Sequence, residues 1–210
     1  MKSVFFKNII AAGVCVLTFC GCACKVNVSE VLQQPVNSKL RTSYHLWYTD
    51  AGNISPLNYM EGKFIPAGTE IEPIEVKRGT YDIWGSVSVV DGSIKFRTMP
   101  DGKEYTIFYD QHLTMIPIEN FIRQFMTIAP ESDIYKNVPQ NELAKVKAGK
   151  LEKNMHLNSV LVLLGPPAQS RTSKLTNQSW LYWKNKDTVF RLIFRGNKIR
   201  QIGSLDKLDF

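Results

Sequence analysis

The sequence predicts an α+β protein in which a β-rich region precedes a module of two helices and a three-stranded meander. Short runs of β-branched and aromatic residues, separated by Gly, Pro, Asn and Asp, occupy residues 41–128. Beyond residue 139, two segments place apolar residues at helical spacing, and three further strand-like runs follow them. The predicted order is therefore a β-rich domain, a helix, a second helix and a meander.

The first residues of the chain have the layout of an export signal. Lys2 and Lys7 precede an apolar run from Ile9 to Phe19, and small residues follow that run. At about 1.5 Å per residue, such a run is too short to cross a hydrocarbon core of about 30 Å. We therefore expect residues 1–21 to be a removable signal peptide rather than a membrane-spanning anchor.

The cysteines at the end of this segment resemble the lipobox of bacterial lipoproteins, in which an apolar residue and two small residues precede an acylated cysteine. Cys22 fits best, because Phe19 stands at the apolar position and Gly21 comes directly before the thiol. The resemblance implies fatty-acyl chains, such as palmitate, on Cys22. Cys20 and Cys24 stay open as alternatives, and so does an ordinary secretory signal without lipid.

The lipoprotein resemblance also implies a location. Ala23 would follow the acylated cysteine, and Gram-negative lipoproteins that lack Asp at this place are sorted to the outer membrane. Acyl chains contribute about 0.8 kcal/mol per buried methylene, so two or three chains hold a protein firmly. The expected localisation is the periplasmic face of the outer membrane, with the mostly polar residues 22–40 as a flexible tether.

Charge is unevenly distributed in a chain whose net charge is +7. Residues 25–139 carry 11 Lys and Arg against 14 Asp and Glu, whereas residues 140–210 carry 13 against 5. A basic half on a membrane tether favours an acidic envelope protein, an anionic lipid or peptidoglycan as partner, and the export signal disfavours nucleic acid. The alternative is a solvated basic surface with no specific partner.

Five runs in the β-rich region are predicted strands: Ser43–Thr49, Thr69–Val76, Asp82–Val90, Ser93–Thr98 and Glu104–Tyr109. The last two flank the turn sequence Pro100-Asp101-Gly102 and are predicted to form a hairpin. A short amphipathic helix is predicted from Pro117 to Thr127, because apolar residues recur at helical spacing after a proline suited to a first turn. This region resembles a small SH3-like barrel.

Residues 129–138 are predicted to be a linker, and Pro139 opens the first helix of the C-terminal module. The second helix ends at Gly165, because a glycine supplies a left-handed cap and Pro166-Pro167 forbids continuation. The meander strands are predicted at Ser179–Trp183, Thr188–Phe194 and Lys198–Gly203.

This module resembles the SmpA/OmlA (BamE-like) family of outer-membrane lipoproteins. The family pattern appears here as the motifs Asn154-Met155, Leu164-Gly165-Pro166-Pro167, Trp180-Leu181-Tyr182 and Leu192-Ile193-Phe194 before Gly196-Asn197-Lys198. The resemblance implies a role in outer-membrane protein assembly. Asn154 stands where the family has Gly, and His156 replaces a capping Ser or Thr, so the start of the second helix departs from the pattern.

A candidate binding face follows from strand alternation. If Asn185-Lys186 and Gly196-Asn197 form tight turns, Trp183 opposes Thr188, Leu181 opposes Phe190 and Phe194 opposes Ile199. The outer face then carries aromatics beside cations, with Trp180 across from Arg191 for a cation–π contact. The predicted binding residues are Trp180, Tyr182, Arg191, Arg195, Lys198 and Arg200.

Nothing in the sequence indicates catalysis. His45, His112 and His156 lack metal-ligand spacing, no nucleophile motif occurs, and neither a cofactor nor a metal is expected. Asp110 and His112 could form a base with its orienting carboxylate, but nothing places a nucleophile beside them. We expect a non-catalytic scaffold or assembly factor of the envelope. The alternative is a lipoprotein that binds a cell-wall or envelope ligand through the β-rich domain.

Overall fold

The computed structural model describes residues 25–79, 92–170, 172 and 178–206. The signal segment, Cys22 and the predicted strand Asp82–Val90 lie outside these residues. The strands are β1 (Leu40–Thr42), β2 (Leu46–Tyr48), β3 (Lys63–Ile65), β4 (Glu70–Lys77), β5 (Gly92–Thr98), β6 (Glu104–Tyr109), β7 (Met126–Thr127), β8 (Ser179–Trp183), β9 (Thr188–Arg195) and β10 (Lys198–Asp206). The helices are α1 (Val28–Val31), α2 (Gln111–Thr114), α3 (Ile118–Phe125), α4 (Glu131–Tyr135), α5 (Gln140–Lys147) and α6 (Leu157–Leu164).

This order confirms the predicted α+β class. An N-terminal antiparallel sheet has the order β6-β5-β4-β1-β7. The predicted hairpin is present as β5 and β6, in which Ile94 pairs with Ile107 and Phe96 pairs with Tyr105. These four side chains are buried on one face, as strand alternation requires. Within the described residues, the edge strands β6 and β7 do not pair with each other, so the sheet is open.

Helix α3 covers the apolar face of this sheet. Its residues Ile118, Phe121, Ile122 and Phe125 lie on one side at spacings of three and four, and all four are buried. The ring of Phe125 lies 5.4 Å from the ring of Phe96, centroid to centroid. Helix and sheet therefore enclose the first of two apolar cores.

A second core lies between helices α5 and α6 and the meander, whose strand order is β10-β9-β8. Helix α6 ends at Gly165, which has a φ of +74°. A Cβ atom at this position would lie 2.9 Å from the ring of Tyr44, so both the backbone conformation and the close approach require glycine. This confirms the predicted helix end and shows that the β-rich region packs directly on it.

The start of α6 is well capped despite its departures from the family pattern. Asn154 has a φ of +68°, the left-handed conformation that asparagine tolerates. The Nδ1 atom of His156 accepts a hydrogen bond from the backbone N–H of Asn158. The buried carboxylate of Glu142, on α5, accepts from the His156 backbone N–H and the Ser159 hydroxyl. The imidazole thus takes the capping role of Ser or Thr.

The residues around β2 connect the two cores. The indole Nε1 of Trp47 donates to the Leu163 carbonyl at 2.9 Å. The amide nitrogen of Asn58 donates at 2.9 Å to the carbonyls of Leu164 and His45, and its oxygen accepts from the Trp47 backbone N–H. The last carbonyls of a helix have no partner inside the helix. Here Trp47 and Asn58 of the β-rich region donate hydrogen bonds to the last carbonyls of α6.

His45 lies at the centre of this connection and is fully buried. Its Nδ1 accepts from the Ala67 backbone N–H at 2.7 Å, and its Nε2 donates to the Val146 carbonyl at 2.7 Å. Its own backbone N–H donates to the Val162 carbonyl, and its ring stacks on Phe64. An N–H can only donate and a carbonyl can only accept, so these partners define one neutral tautomer. Burial lowers the pKa of His45.

Two predicted segment boundaries need correction. The stretch 129–138, predicted as a linker, contains α4, and the hydroxyl of Tyr135 donates to the Ala67 carbonyl at 3.0 Å. Val138 is buried in the second core, which also includes Trp47 of the β-rich region. The polar composition of this stretch suggested a linker, but its few apolar residues pack between the two regions and leave no free connection.

The flexible tether predicted over residues 22–40 also needs correction from residue 25 onward. The Val26 backbone N–H donates to the Val76 carbonyl at 3.0 Å, extending the sheet beside β4. Asn27 caps the short helix α1, and Val28 is buried in the first core. A few isolated valines in a polar stretch produce no periodic pattern, so sequence alone does not indicate this packing.

Candidate contact face of the C-terminal sheet

Three of the predicted cations share the outer face of the meander. Arg191 and Arg195 are exposed and alternate along β9 with buried residues, and Lys198 pairs with Arg195 across the turn into β10. Side chains of directly paired residues lie on the same face of a sheet. Ile193 lies between the two arginines and is 36 % exposed.

Arg200 is exposed but does not follow the simple alternation. The pairing of β10 with β9 passes from Ile199 opposite Phe194 to Gln201 opposite Ile193, so Arg200 is the extra residue of a β-bulge. It adds a fourth cation at the edge of this face. The predicted pairing of Phe194 with Ile199 is confirmed.

Trp180 and Tyr182 are not on this face, which corrects the predicted site. Trp180 is 2 % exposed and its ring lies 4.6 Å from the ring of Phe194, centroid to centroid. Tyr182 is 3 % exposed and its hydroxyl donates to the Gly165 carbonyl at 2.9 Å. Burial, followed by the nearby Tyr44, raises the pKa of Tyr182. Both aromatics belong to the second core, and no cation–π contact joins Trp180 to Arg191.

The connection between β8 and β9 explains the error. Trp183 pairs with Val189 rather than Thr188, so the connection is one residue longer than predicted. The side-chain oxygen of Asn185 accepts from the backbone N–H groups of Asp187 and Thr188 and holds this wider turn. A shift of one residue turns every side chain of a strand to the other face. Leu181 therefore takes the outer position opposite Arg191.

The resulting contact face consists of four cations around an apolar centre: Leu181, Arg191, Ile193, Arg195, Lys198 and Arg200. Among the described residues, none of the four cations forms an ion pair or a side-chain hydrogen bond. Cations of the N-terminal sheet, such as Lys95 and Arg97, instead pair with glutamates. Unpaired cations with an apolar centre suit a macromolecular surface of opposite charge.

The other residues considered for chemistry have structural roles. The carboxylate of Asp110 accepts the backbone N–H of His112 and caps α2. In the part of the chain that the structure describes, no three His, Cys, Asp or Glu side chains come together as metal ligands. Nor does this part include a helix with the length and hydropathy needed to span a membrane.

Comparisons of the chain with protein-family models, with curated proteins and with solved structures give no match. The relation to the SmpA/OmlA family therefore stays a prediction from the residues.

Proposed function

We propose that this protein is a lipid-anchored, non-catalytic scaffold of the bacterial outer membrane that holds an acidic envelope protein through its C-terminal contact face. The observation that carries the proposal is the set of four exposed cations on and beside one sheet face, which have no acidic partner among the residues that the structure describes. The predicted lipobox supports the anchoring, and the resemblance to the SmpA/OmlA family supports a role in outer-membrane protein assembly.

The anchoring predicts that Cys22 carries the acyl chains. Intact mass spectrometry of the protein purified from membranes should show a chain that begins at Cys22 with fatty-acyl groups attached. Cys22→Ala should abolish both processing and lipid, whereas Cys24→Ala should leave the lipid in place. A lipidated Cys22→Ala chain would contradict this assignment.

The contact face predicts a charge-dependent interaction. A photo-crosslinking residue placed at Ile193 should capture a partner with an acidic surface in intact membranes. The double substitution R191E/R195E should abolish that crosslink, because it places anions opposite the partner's own carboxylates. It should change stability by less than about 0.5 kcal/mol, since both side chains are exposed.

The matched control is K150E/K153E, which makes the same change of net charge in the same module. Lys150 and Lys153 are exposed, and neither forms an ion pair with another described residue. The proposal requires that this control keep the crosslink. Equal loss in both double variants would indicate a diffuse effect of charge, with no specific face.

A further inference from the structure

A groove of about 580 Å³ lies where the loop after β2 meets the end of β6, helix α2 and the β8–β9 turn. Aromatic rings line it, with Tyr48 and Tyr59 half-buried and Phe108 45 % exposed. Leu113 of α2, also 45 % exposed, extends the apolar lining. Exposed large apolar side chains gathered in one concave site indicate a binding surface more strongly than single ones do.

Five polar side chains of this groove have free hydrogen-bonding capacity. The hydroxyl of Tyr59 and the side chains of Asn53, Glu61, Lys186 and Asp187 line it, and none bonds to another described side chain. Elsewhere on the β-rich region, glutamates are paired. Glu70, Glu75 and Glu104, for example, each contact a lysine at 2.9 Å or less. The groove therefore differs from the surrounding surface.

The groove carries an excess of negative charge. The carboxylates of Glu61, Asp110 and Asp187 line it, together with the single ammonium of Lys186, and Asp110 also accepts a backbone hydrogen bond in the cap of α2. This excess would repel a polyanion, and a basic peptide would meet the ammonium of Lys186 beside the aromatic rings. A neutral ligand that offers both apolar faces and hydroxyl groups fits this lining best.

We propose that this groove binds a neutral oligosaccharide. A pyranose ring presents an apolar face of C–H groups, which packs on an aromatic ring, and hydroxyls around its edge, which pair with amide, carboxylate and phenol groups. Phe108, Tyr48 and Tyr59 supply the rings. Asn53, Glu61 and Asp187 supply the hydrogen-bonding groups. This site is separate from the contact face and does not depend on the proposed scaffold function.

Calorimetric titration of the full chain in mild detergent tests the proposal with two probes, an N-acetylglucosamine tetrasaccharide and cellotetraose. We expect saturable binding of at least one probe. Phe108→Ala should weaken this binding by about tenfold or more, equivalent to losing about 1.4 kcal/mol. Met99→Ala is the matched control, because Met99 is 50 % exposed and does not line this groove. It should bind as the unmodified chain does.

Three outcomes would overturn the proposal. They are no saturable binding of either sugar, equal binding by the Phe108→Ala and unmodified chains, and tighter, salt-sensitive binding of a pentalysine peptide at this groove. Melting temperatures of both variants should match that of the unmodified chain, which separates lost binding from lost folding. Sugar binding by R191E/R195E should be unchanged, so the scaffold function and this site fail or succeed independently.

Discussion

The imidazole of His45 bonds to the backbone N–H of Ala67, 22 residues away, and to the carbonyl of Val146, 101 residues away. The sequence indicates only that this residue lacks the spacing of a metal ligand. No local pattern could indicate the true role, because both partners are backbone atoms brought together only by the complete fold. Asn58 is a similar case, since its partners include a carbonyl 106 residues away. Buried polar connections of this kind are the least predictable part of the molecule.

The lowered pKa of His45 predicts a definite pH dependence of stability. The folded state holds the neutral ring, whereas the ring in the unfolded chain takes up a proton near its ordinary pKa of about 6.5. The stabilisation is therefore complete above that pH and is lost as the pH falls below it toward the lower pKa of the folded state. The loss should be at most about 1.4 kcal/mol per pH unit.

Urea unfolding of the unmodified chain between pH 7.5 and 5.5 checks this expectation. The control is His45→Gln, because glutamine offers a donor and an acceptor but does not titrate in this range. The difference in unfolding free energy between the two chains should shrink as the pH falls. A constant difference would show that His45 contributes nothing to the pH dependence.

At the scale of the elements, predictability follows the strength of the periodic pattern. Helices α3 and α6 and the hairpin β5–β6 were predictable, since alternation or helical spacing continues over six or more residues. The strands β1, β3 and β7 have two or three residues each, too few for any period. The outward face predicted for β8 was wrong because Asn185 holds a wider turn before β9.

We expect the attachment of α1 to the N-terminal sheet to depend on the burial of Val28. Val28→Asp places a carboxylate in the first core, where an unpaired charge is costly, so residues 25–39 should detach from the sheet. Limited proteolysis should then cut this stretch early, and the N–H of Val26 should lose its protection from hydrogen exchange. Val36→Asp is the matched control, because Val36 lies in the same segment and is 91 % exposed. If both variants resist proteolysis equally, α1 does not depend on Val28.

At the scale of the whole molecule, the division into two domains with a linker is the prediction that changes most. The polar composition of residues 129–138 indicated a boundary there. Composition indicates whether a segment is exposed to solvent, but it does not indicate which distant residues the segment contacts. Trp47 and Ala67 belong to the core of the C-terminal module, and Gly165 packs on Tyr44. The β-rich region therefore completes the module, and the module would expose these contacts if separated.

We therefore expect that residues 139–210 alone do not fold cooperatively. The intact chain should unfold in a single calorimetric transition, because the cores share buried hydrogen bonds through His45, Trp47 and Asn58. The fragment 139–210 should show no sharp transition until the fragment 25–138 is added. A cooperative transition of the isolated module would contradict this view and would restore the boundary predicted from the sequence.

Lys25 pairs with Lys77 at the edge of the sheet. If Cys22 carries the acyl chains, the three peptide links from Cys22 to Lys25 extend over about 11 Å at most, and this pairing then limits how far the folded body can stand from a bilayer. So short a connection restricts the orientation of the folded body relative to the membrane. The edge of the sheet near Lys77 and α1 must then face the lipid headgroups. A Gly-Ser insertion after Ala23 would lengthen this connection. The folded body could then rotate freely while it stays attached to the membrane.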